Sequence, residues 1–510
     1  MGGAGFVYAQ AITQGTTNTG GVTNTGTSTN SAGVGVGSSL AVSATGSVAS
    51  TTNTALNAPA EITGLYTSVG QTSTNTGGNV SNTGTVTSNV TTTVAVGDFG
   101  SISVGSTGSV AATSFQMQDN LSTAGVTFAA SGITGATTQA VSSTGSSTNV
   151  ATITPSGTGS LGTNASIGAS ATGAAASVGF GVASNNTHAT GTTVGAMTTG
   201  AITQGVTLTA VSNTGAVSNT ATIVPGTTAA ITLSGVGSSV SAGATGSVSS
   251  VNYSGVQGAA DVASMTIGAL TFGAIGQVNS NTGAVSNTAT LGSATVAFGA
   301  LSGAGASASV SATGAVGSLG ISNTNGSAVA MTPGAVTVGA VTQSESNTGA
   351  VSNLTGALGA GYFNVGALSG DRSSASVSAT GSVASVSYSA TGSLTSGQAI
   401  TTGAITQTST SGTGAITNQT DHMIVGAISG NGASASIGAT GAASSISFAT
   451  LQTGNAATIS TGALGQTTTN GSVISNTGTM QLAGLSGYGS SASISATGAA
   501  SSISYSSVKH

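Results

Sequence analysis

The stretch SASVSATGSVASVSYS, residues 374–389, alternates small apolar residues with serine and contains one aromatic side chain, Tyr388. Before its Ala-Thr-Gly, the residues Ala375, Val377 and Ala379 share one side of the chain and serines share the other. The alternation resumes after the glycine. A period of two residues is typical of a β-strand with one buried face. We therefore predict two strands here, joined by a turn that the glycine closes.

The same pattern recurs along all 510 residues, for example as SISVGSTGSVAATSF (101–115) and SASISATGAASSISY (491–505). Its spacing ranges from 57 residues (Gly441 to Gly498) to 73 residues (Gly173 to Gly246). Self-similarity at such a period indicates a repeat architecture. The predicted turn glycines of the repeats are Gly46, Gly108, Gly173, Gly246, Gly314, Gly381, Gly441 and Gly498.

A second landmark keeps the same register. Each unit contains one glutamine in a comparable place, four of them within AITQ or AVTQ, and in the middle units an Asn-Thr-Gly follows (Asn213, Asn281, Asn347). Two landmarks in register predict eight tandem units. The repeat glutamines are Gln14, Gln71, Gln139, Gln204, Gln277, Gln343, Gln407 and Gln466. The predicted units are approximately 12–60, 61–125, 126–190, 191–258, 259–325, 326–392, 393–452 and 453–510.

The N-terminal residues 1–11 precede the first unit. Ala9-Gln10-Ala11 has the small-x-small form of a signal-peptidase site, although the preceding apolar stretch is short and lacks basic residues. We interpret residues 1–11 as an export-signal remnant or an N-terminal arm.

Composition excludes several classes of function. The chain has two basic and seven acidic residues, a net charge of −5, and no cysteine. Nucleic-acid binding needs clustered Lys or Arg, so we expect no nucleic-acid partner. Disulfides and thiolate metal sites are excluded. No apolar run approaches the roughly 18 residues of a membrane helix, so we expect no membrane span.

The fold class predicted from these patterns is all-β. Gly, Thr, Ser, Asn and Val are poor helix formers, and no helical apolar stripe is present. Small inward residues favour a β-solenoid, whose coils stack like residues on like, over the alternatives of a β-propeller or tandem small β-sandwiches. Low charge disfavours a disordered chain. With about 20 residues per coil, each unit makes three coils, and the whole chain makes a rod of roughly 120 Å.

Aromatic residues supply a third periodic position, seven residues after the glycine. We expect these rings to plug the end of a small core. The alternative is that they form contacts between neighbouring chains, since aromatics are enriched in interface cores. Ile321 and Asn53 occupy this position in two units. The rings are Phe115, Phe180, Tyr253, Tyr388, Phe448 and Tyr505.

Reaction chemistry is not indicated anywhere in the sequence. His188, His422 and His510 are isolated, and seven carboxylates are spread over the whole chain. No nucleophile, base and orienting group can be named together. We therefore expect no enzymatic activity, no cofactor and no metal site. Rows of exposed Ser and Thr can carry or contact glycans, which we keep as a partner class.

A structural role fits the physical properties better. A chain with so little charge has little self-repulsion, and its strand edges lack the Lys and Pro that normally block pairing. The first and last units have the character of ordinary repeats, so we expect head-to-tail stacking of copies into an open filament. Asn and Gln that recur in register are expected to form side-chain amide ladders along such a stack.

In ITQGTTNTGGVTN (12–24) and GQVNSNTGAVSNT (276–288), Gln and Asn lie at predicted strand ends around Gly. In this usage the chain resembles bacterial secreted β-repeat proteins, namely curli-type fibre subunits and adhesin stalks. The curlin repeat is much shorter and spaces Gln and Asn differently. The resemblance implies an exported polymer for a biofilm, sheath or surface coating, outside a prokaryotic cell or on its surface.

Two alternative functions follow from the same features. One is the repeat stalk of a cell-surface adhesin. The other is an ice-binding β-solenoid, which needs rows of Thr-x-Thr on a flat face, as TNTGTST (23–29), TSTNTGG (72–78) and TATI (220–223) suggest.

Overall fold

The computed structural model describes most of the chain. The described residues are 11–30, 38–56, 68–89, 94–119, 127–128, 131–133, 136–156, 159–184, 191–194, 196–205, 210–223, 231–257, 263–293, 300–325, 331–332, 334–358, 363–392, 399–420, 423–452 and 458–509. Almost all of the predicted N-terminal arm, together with His188, His422 and His510, lies outside them.

The described residues form strands and no helix, which confirms the all-β prediction. Every pairing between strands is parallel, and each strand pairs with its counterpart one repeat earlier and one repeat later. Gln139, for example, pairs with Gln71 and with Gln204. Stacked parallel coils of this kind confirm a β-solenoid-like architecture.

Each repeat makes one wide coil, so the prediction of three coils per repeat was wrong. Paired residues are a full repeat apart, as Gly173 and Gly246 are. The strands of each coil fall within one of the eight unit ranges, apart from Ala11, which begins the first strand. Eight coils are separated by seven steps of about 4.8 Å, which gives a stack roughly 34 Å high, far shorter than the predicted rod. Like side chains stack on like only when one coil equals one repeat.

The strands of each coil belong to sheets that run the length of the stack. The "long sheet" consists of β3 (Ser39–Thr45), β4 (Ala49–Leu56), β8 (Ser101–Asp119), β14 (Ser166–Ser184), β21 (Ser239–Gln257), β26 (Ser307–Asn325), β31 (Ser374–Gly392), β36 (Ser434–Gln452) and β41 (Ser491–Lys509).

Two further sheets contain the columns of polar residues that recur from unit to unit. The "Gln sheet" consists of β1 (Ala11–Asn18), β5 (Ser68–Asn75), β11 (Thr137–Ser143), β17 (Ile202–Gln204), β18 (Val211–Asn213), β24 (Ile275–Asn281), β28 (Val341–Asn347), β33 (Ile405–Ser411) and β38 (Leu464–Asn470). The "Asn sheet" consists of β2 (Val22–Asn30), β6 (Val80–Asn89), β12 (Ser147–Ser156), β19 (Val217–Ile223), β25 (Val285–Ser293), β29 (Val351–Leu358), β34 (Ile416–Thr420) and β39 (Ile474–Thr477).

Shorter strands complete the coil. One sheet of six precedes the Gln sheet in each coil: β10 (Ser131–Ile133), β16 (Met197–Thr199), β23 (Leu270–Phe272), β27 (Val336–Val338), β32 (Ala399–Thr402) and β37 (Thr458–Thr461). Three sheets of three contain β7 (Val94–Val96), β13 (Gly159–Leu161) and β20 (Ile231–Leu233); β9 (Thr127–Phe128), β15 (Thr193–Val194) and β22 (Thr266–Ile267); and β30 (Phe363–Val365), β35 (Met423–Ile428) and β40 (Met480–Leu485).

The core is thin and lies between two walls. The long sheet forms one wall, and the other sheets face it. The long strands bend near their middle, at residues 173–176 in β14. Before this bend, Ile167 packs in one cluster with Ile153 of the Asn sheet. After the bend, Tyr253 packs in another cluster with Ile202 of the Gln sheet. A smaller cluster, including Val248, fills the middle of the coil.

The predicted turn at the Ala-Thr-Gly glycine is wrong. The strand β14 continues through Gly173, which pairs with Gly108 and Gly246 in the neighbouring coils. Burial alternates up to Gly173, four consecutive residues (173–176) are buried, and alternation resumes with the opposite parity. The chain therefore bends without reversing, because parallel pairing above and below keeps it extended.

The tight corner of the coil lies just before the long strand. One residue there has a φ between 51° and 69° in each of seven coils, a left-handed conformation that favours glycine. Its N–H donates to a carbonyl oxygen of the next coil, as Arg372 N does to Asn431 O at 2.8 Å. The corner residues are Phe99, Asn164, Gly237, Gly305, Arg372, Gly432 and Gly489.

Replacing Arg372 by glycine is expected to stabilise the protein. Arg372 is exposed and has a φ of 57°, a conformation that costs an L-residue about 1–2 kcal/mol and glycine almost nothing. After the greater chain entropy of unfolded glycine is subtracted, we expect a gain of roughly 0.5–1 kcal/mol, measured by denaturant unfolding. The reverse change one coil away, Gly305→Arg, is the matched control and should lower stability. A less stable Arg372→Gly variant would contradict this account of the corner.

Candidate functional site

A ladder of glutamine side chains runs along the whole stack. All eight predicted glutamines lie in one column of the Gln sheet. The Nε2 of each donates to the Oε1 of the glutamine in the preceding coil, at distances of 2.7 to 2.9 Å. The interior members are fully buried. The predicted amide ladder therefore exists within a single chain.

The same glutamines tie the two walls of the coil together. Each Nε2 also donates to a carbonyl oxygen of the long strand in its own coil, just after the bend, at 2.9 to 3.2 Å. Both amide hydrogens of an interior glutamine thus form hydrogen bonds, which offsets the cost of burying the amide in a low-dielectric core. The accepting residues are Ser50, Ala112, Ser177, Ser250, Ser318, Ser385, Ser445 and Ser502.

A second complete ladder, of asparagines, was missed at the sequence level. It occupies one column of the Asn sheet, and here each Nδ2 donates to the Oδ1 in the following coil, at 2.9 to 3.0 Å. In seven of the eight units the signal was an asparagine two residues after Val or Ile, as in VSNT (217–220), and Ser147 takes the place of that residue before Asn149. The members are Asn24, Asn82, Asn149, Asn219, Asn287, Asn353, Asn418 and Asn476.

The eight predicted turn glycines serve this asparagine ladder. A Cβ at Gly173 would overlap the Nδ2 of Asn149, and the same holds for every other glycine of the column and its own asparagine. None of the eight has a left-handed φ. Glycine is needed there for the close approach of the amide, and not for a turn.

The asparagines of Asn-Thr-Gly form a third, shorter ladder at the corner between the Gln and Asn sheets. Asn213 donates to Asn281 at 2.9 Å, and Asn281 donates to Asn347 at 2.8 Å. The column is interrupted where Ser143 and Ser411 replace asparagine. A separate step of the same column joins the first two coils, where Asn18 donates to Asn75 at 2.9 Å. The column therefore reinforces the stack in two segments.

The periodic aromatic residues also form one column, in the half of the long strand after the bend. Phe180, Tyr253, Tyr388 and Phe448 are buried within the chain, and the rings of Tyr388 and Phe448 stack with centroids 5.0 Å apart. These four plug the core, as expected, and are not available for contacts between chains. Phe115 and Tyr505 share the column by backbone pairing; their side chains lie outside the described part.

One carboxyl group lies in the core. Glu345 is 3% exposed, and Asn279 of the preceding coil donates to its Oε2 at 2.6 Å. Among the described residues its Oε1 has no hydrogen-bond partner, and it faces Gly317, whose missing side chain leaves the space for it. Burial raises the pKa of Glu345 from 4.5 to about 8, so the carboxyl is protonated at neutral pH.

The two end coils expose what the interior coils bury. Ile494 of the last coil is 51% exposed, whereas its counterpart in the preceding coil, Ile437, is 2% exposed. Ile503 (45%) and Ile446 (1%) differ in the same way. In the first coil, Leu40 and Val42 are likewise only half-buried, although Ala44 and Ala49 are buried. We call these surfaces the C-terminal face and the N-terminal face of the stack.

Substitution of the column glycines tests the asparagine ladder. We expect Gly173→Ala to lower the free energy of unfolding by about 1–3 kcal/mol, because its Cβ would push Asn149 out of the ladder. Gly179 lies in the same strand with nothing within 4 Å of a Cβ, so Gly179→Ala is the matched control. It should change stability by less than about 1 kcal/mol. Equal effects of the two substitutions, in denaturant unfolding, would show that the ladder does not set the requirement.

The raised pKa of Glu345 predicts a pH dependence of stability. Below pH 4.5 the carboxyl is protonated in the folded and the unfolded chain; between pH 4.5 and about 8 only the folded chain keeps the proton. Stability therefore falls as the pH rises through this window, by at most roughly 4–5 kcal/mol, and no further above it. Denaturant unfolding at pH 4.5 and pH 8 measures the fall.

Glu345→Gln should remove this part of the pH dependence, because an amide does not titrate. Asp371→Asn, which removes an exposed carboxyl, is the control and should leave the dependence in place. A pH profile that Glu345→Gln does not change would refute the assignment.

Comparison of the chain with protein-family models, with curated proteins and with solved structures gives no match. Within the described residues, no group of three or more His, Asp or Glu side chains could hold a metal ion. The described part also contains no helix that is long and apolar enough to cross a bilayer.

Proposed function

We propose that the protein is the structural subunit of a self-assembling filament or surface polymer outside the cell, and that it is not an enzyme. The observation that carries the proposal is the exposure of the inner columns on both faces of the stack. An interior coil is covered on two sides by coils like itself, and an end coil is covered on one. A second copy of the chain would cover each face in the way that a neighbouring coil covers an interior coil.

The apolar content of the faces supports association. Ile474, Ile494 and Ile503 of the last coil stand at the ends of columns whose interior members, Ile416, Ile437 and Ile446, are at most 2% exposed. Removing such side chains from water is favourable by about 25 cal/mol per Å² of apolar surface. The interior columns show that a neighbouring coil fits closely enough to remove it.

The edges of the faces also lack the features that keep natural sheets apart. Residues 11–56 and 458–508 contain no charged residue and no proline. Natural edge strands are usually protected by Lys, Pro or an inward-pointing charge, because their unpaired N–H and C=O groups otherwise pair with another chain. Edge strands β38 and β39 of the last coil have none of these protections, and β41 has a single lysine, Lys509, as its last residue.

The resemblance to bacterial secreted β-repeat proteins supports a location outside a prokaryotic cell or on its surface. An exported polymer has to form without an energy source, and stacking of preformed coils needs none. Copies of the same chain are the proposed partner, and glycans on the exposed Ser and Thr rows are a further partner class.

Ice binding is the second candidate function, because two outward columns of the long sheet have the same hydroxyl residue in all eight coils. Regular hydroxyls on a flat sheet can order water. Thermal hysteresis of unassembled protein would favour this candidate. The serine column is Ser39, Ser101, Ser166, Ser239, Ser307, Ser374, Ser434 and Ser491. The threonine column is Thr45, Thr107, Thr172, Thr245, Thr313, Thr380, Thr440 and Thr497.

A charge placed on the C-terminal face should block assembly. Gln466 is half-buried at this face, and Gln466→Lys puts an ammonium where a second copy would have to desolvate it. That penalty is several kcal/mol, so we expect the association constant to fall at least about a hundredfold. Light scattering and negative-stain microscopy of purified protein measure the assembly.

The matched control is Thr342→Lys, which adds the same charge to the exposed side of an interior coil. It should leave assembly almost unchanged. Wild-type protein that remains monomeric at high concentration would overturn the proposed function, and equal inhibition by both lysines would show that charge acts without regard to the face.

A further inference from the structure

We infer that copies join with the C-terminal face of one on the N-terminal face of the next, in the single register that continues both amide ladders. This inference rests on the proposed function and names its partner surface. The contact between two copies would then have the same strand register and the same ladder contacts as the contact between two coils of one chain.

The two ladders have opposite polarity, which gives each face a distinct pattern of donors and acceptors. In the glutamine ladder the donors point towards the N-terminal face, as Gln71 Nε2 does to Gln14 Oε1. In the asparagine ladder the donors point towards the C-terminal face, as Asn24 Nδ2 does to Asn82 Oδ1. Each ladder therefore ends in a different group at each face.

The C-terminal face presents one acceptor and one donor. Gln466 uses its Nε2 twice, to Gln407 and to the carbonyl of Ser502, and among the described residues its Oε1 accepts no hydrogen bond. Asn476 accepts from Asn418 through its Oδ1, and its Nδ2 has no acceptor among the described residues. An acceptor and a donor are thus left on this face, each at the end of its ladder.

The N-terminal face presents the complementary pattern. Asn24 donates to the following coil, and its Oδ1 accepts no hydrogen bond within the described part of the chain. When the next copy stacks in register, its Asn24 Oδ1 meets Asn476 Nδ2, and its Gln14 takes the next position in the column of Gln466. These contacts repeat the geometry of every interior step, where the distances are 2.7 to 3.0 Å.

The remaining columns agree with this register. The column of Ile494 ends at Val42 in the first coil, and the column of Ile474 ends at Val22. The joint therefore brings branched apolar residues together in both places. The strand β41 meets β3 and β4, which belong to the same sheet.

Pairing of two identical faces cannot give the same match. It would run the edge strands antiparallel, and a column that fell on its own copy would set acceptor against acceptor at Gln466 or donor against donor at Asn476. Unpaired buried amide groups cost about 1–3 kcal/mol each. The joint is therefore directional, and repeated joints make a polar filament with a rise of roughly 38 Å per copy, from eight coils at about 4.8 Å.

Because the chain has no cysteine, the register can be tested with two introduced thiols. Thr17 and Thr469 are exposed and occupy the same outward column of the Gln sheet, in the first and last coils. In the inferred joint they are in-register neighbours about 5 Å apart. We expect the Thr17→Cys/Thr469→Cys variant, assembled and treated with a short bismaleimide, to give covalent dimers, trimers and longer species on a denaturing gel.

Three controls make the result specific. Each single variant should remain monomeric, since a covalent dimer of Thr17→Cys or Thr469→Cys alone would reveal pairing of identical faces and overturn the inference. Thr17→Cys/Thr497→Cys places the second thiol on the outward side of the opposite wall and should not cross-link. Filaments that form without cross-links in the Thr17/Thr469 variant would overturn the register and leave the proposed function standing. The absence of any assembly would overturn both.

The polarity of the ladders has its own test in Asn476→Asp. Aspartate keeps the oxygen that accepts from Asn418, and it replaces only the nitrogen that faces the joint with an oxygen. That oxygen would oppose Asn24 Oδ1 of the next copy, so we expect the critical concentration for assembly to rise about tenfold or more while the unfolding curve of the unassembled protein stays the same. An unchanged critical concentration would refute the asparagine contact at the joint.

Discussion

In the described strands of the interior coils, an inward side chain lies between its counterparts one coil above and one coil below. Parallel in-register pairing at about 4.8 Å imposes this, and it decides which residues the core can hold. A charged residue that recurred in every unit would lie on a like charge in both directions, so charge is disfavoured in the columns. An amide carries a donor and an acceptor on one group, and can therefore satisfy itself by repetition. The composition of the chain, with 2% charged residues and many Asn and small apolar residues, follows from that constraint.

Glu345 shows how strictly the constraint applies. It is the one carboxyl within a buried column of the described residues, and its neighbours in that column, Asn279 and Ser409, are neutral. The residue that faces it on the other wall is glycine, whereas the same position holds Ser249 and Ala384 in the adjacent coils. A carboxyl is accommodated where it is alone, kept protonated by burial, and given extra space. An adjacent second carboxyl would have no such arrangement.

The sequence predicted the columns better than the path of the chain between them. Register between the Gln and Ala-Thr-Gly landmarks reveals which residues are equivalent, and in a stacked fold equivalent residues are neighbours, so the glutamine column and the buried aromatics could be predicted. The length of a coil could not be read in the same way, because period-two alternation says that a segment is extended and not where the chain turns. The alternation therefore predicts three short coils per repeat, although only a coil as long as a whole repeat brings Gln139 next to Gln71.

The role of the column glycines was hidden for a related reason. A glycine between two alternating segments has two physical meanings, a left-handed turn or a close approach, and the local sequence is the same for both. The partner that decides between them at Gly173 is Asn149, 24 residues earlier and on the opposite wall. The corner that does need a left-handed residue accepts Phe99, Asn164 and Arg372 as well as glycine, so no invariant residue type marked it.

Folding and the proposed assembly use the same kinds of contact. This limits which substitutions can change assembly without changing the stability of the fold. A substitution inside a column weakens the contact between two coils of one chain. A substitution in the same column at a face weakens the contact between two chains. Only atoms that point out of a face, such as Gln466 Oε1 and Asn476 Nδ2, belong to the second step alone. A filament built in this way has joints of nearly the strength of its subunits' own interior, apart from the loss of translational freedom that a covalent chain avoids. Control over assembly then has to act at the two faces, because the rest of the stack cannot change without the fold changing too.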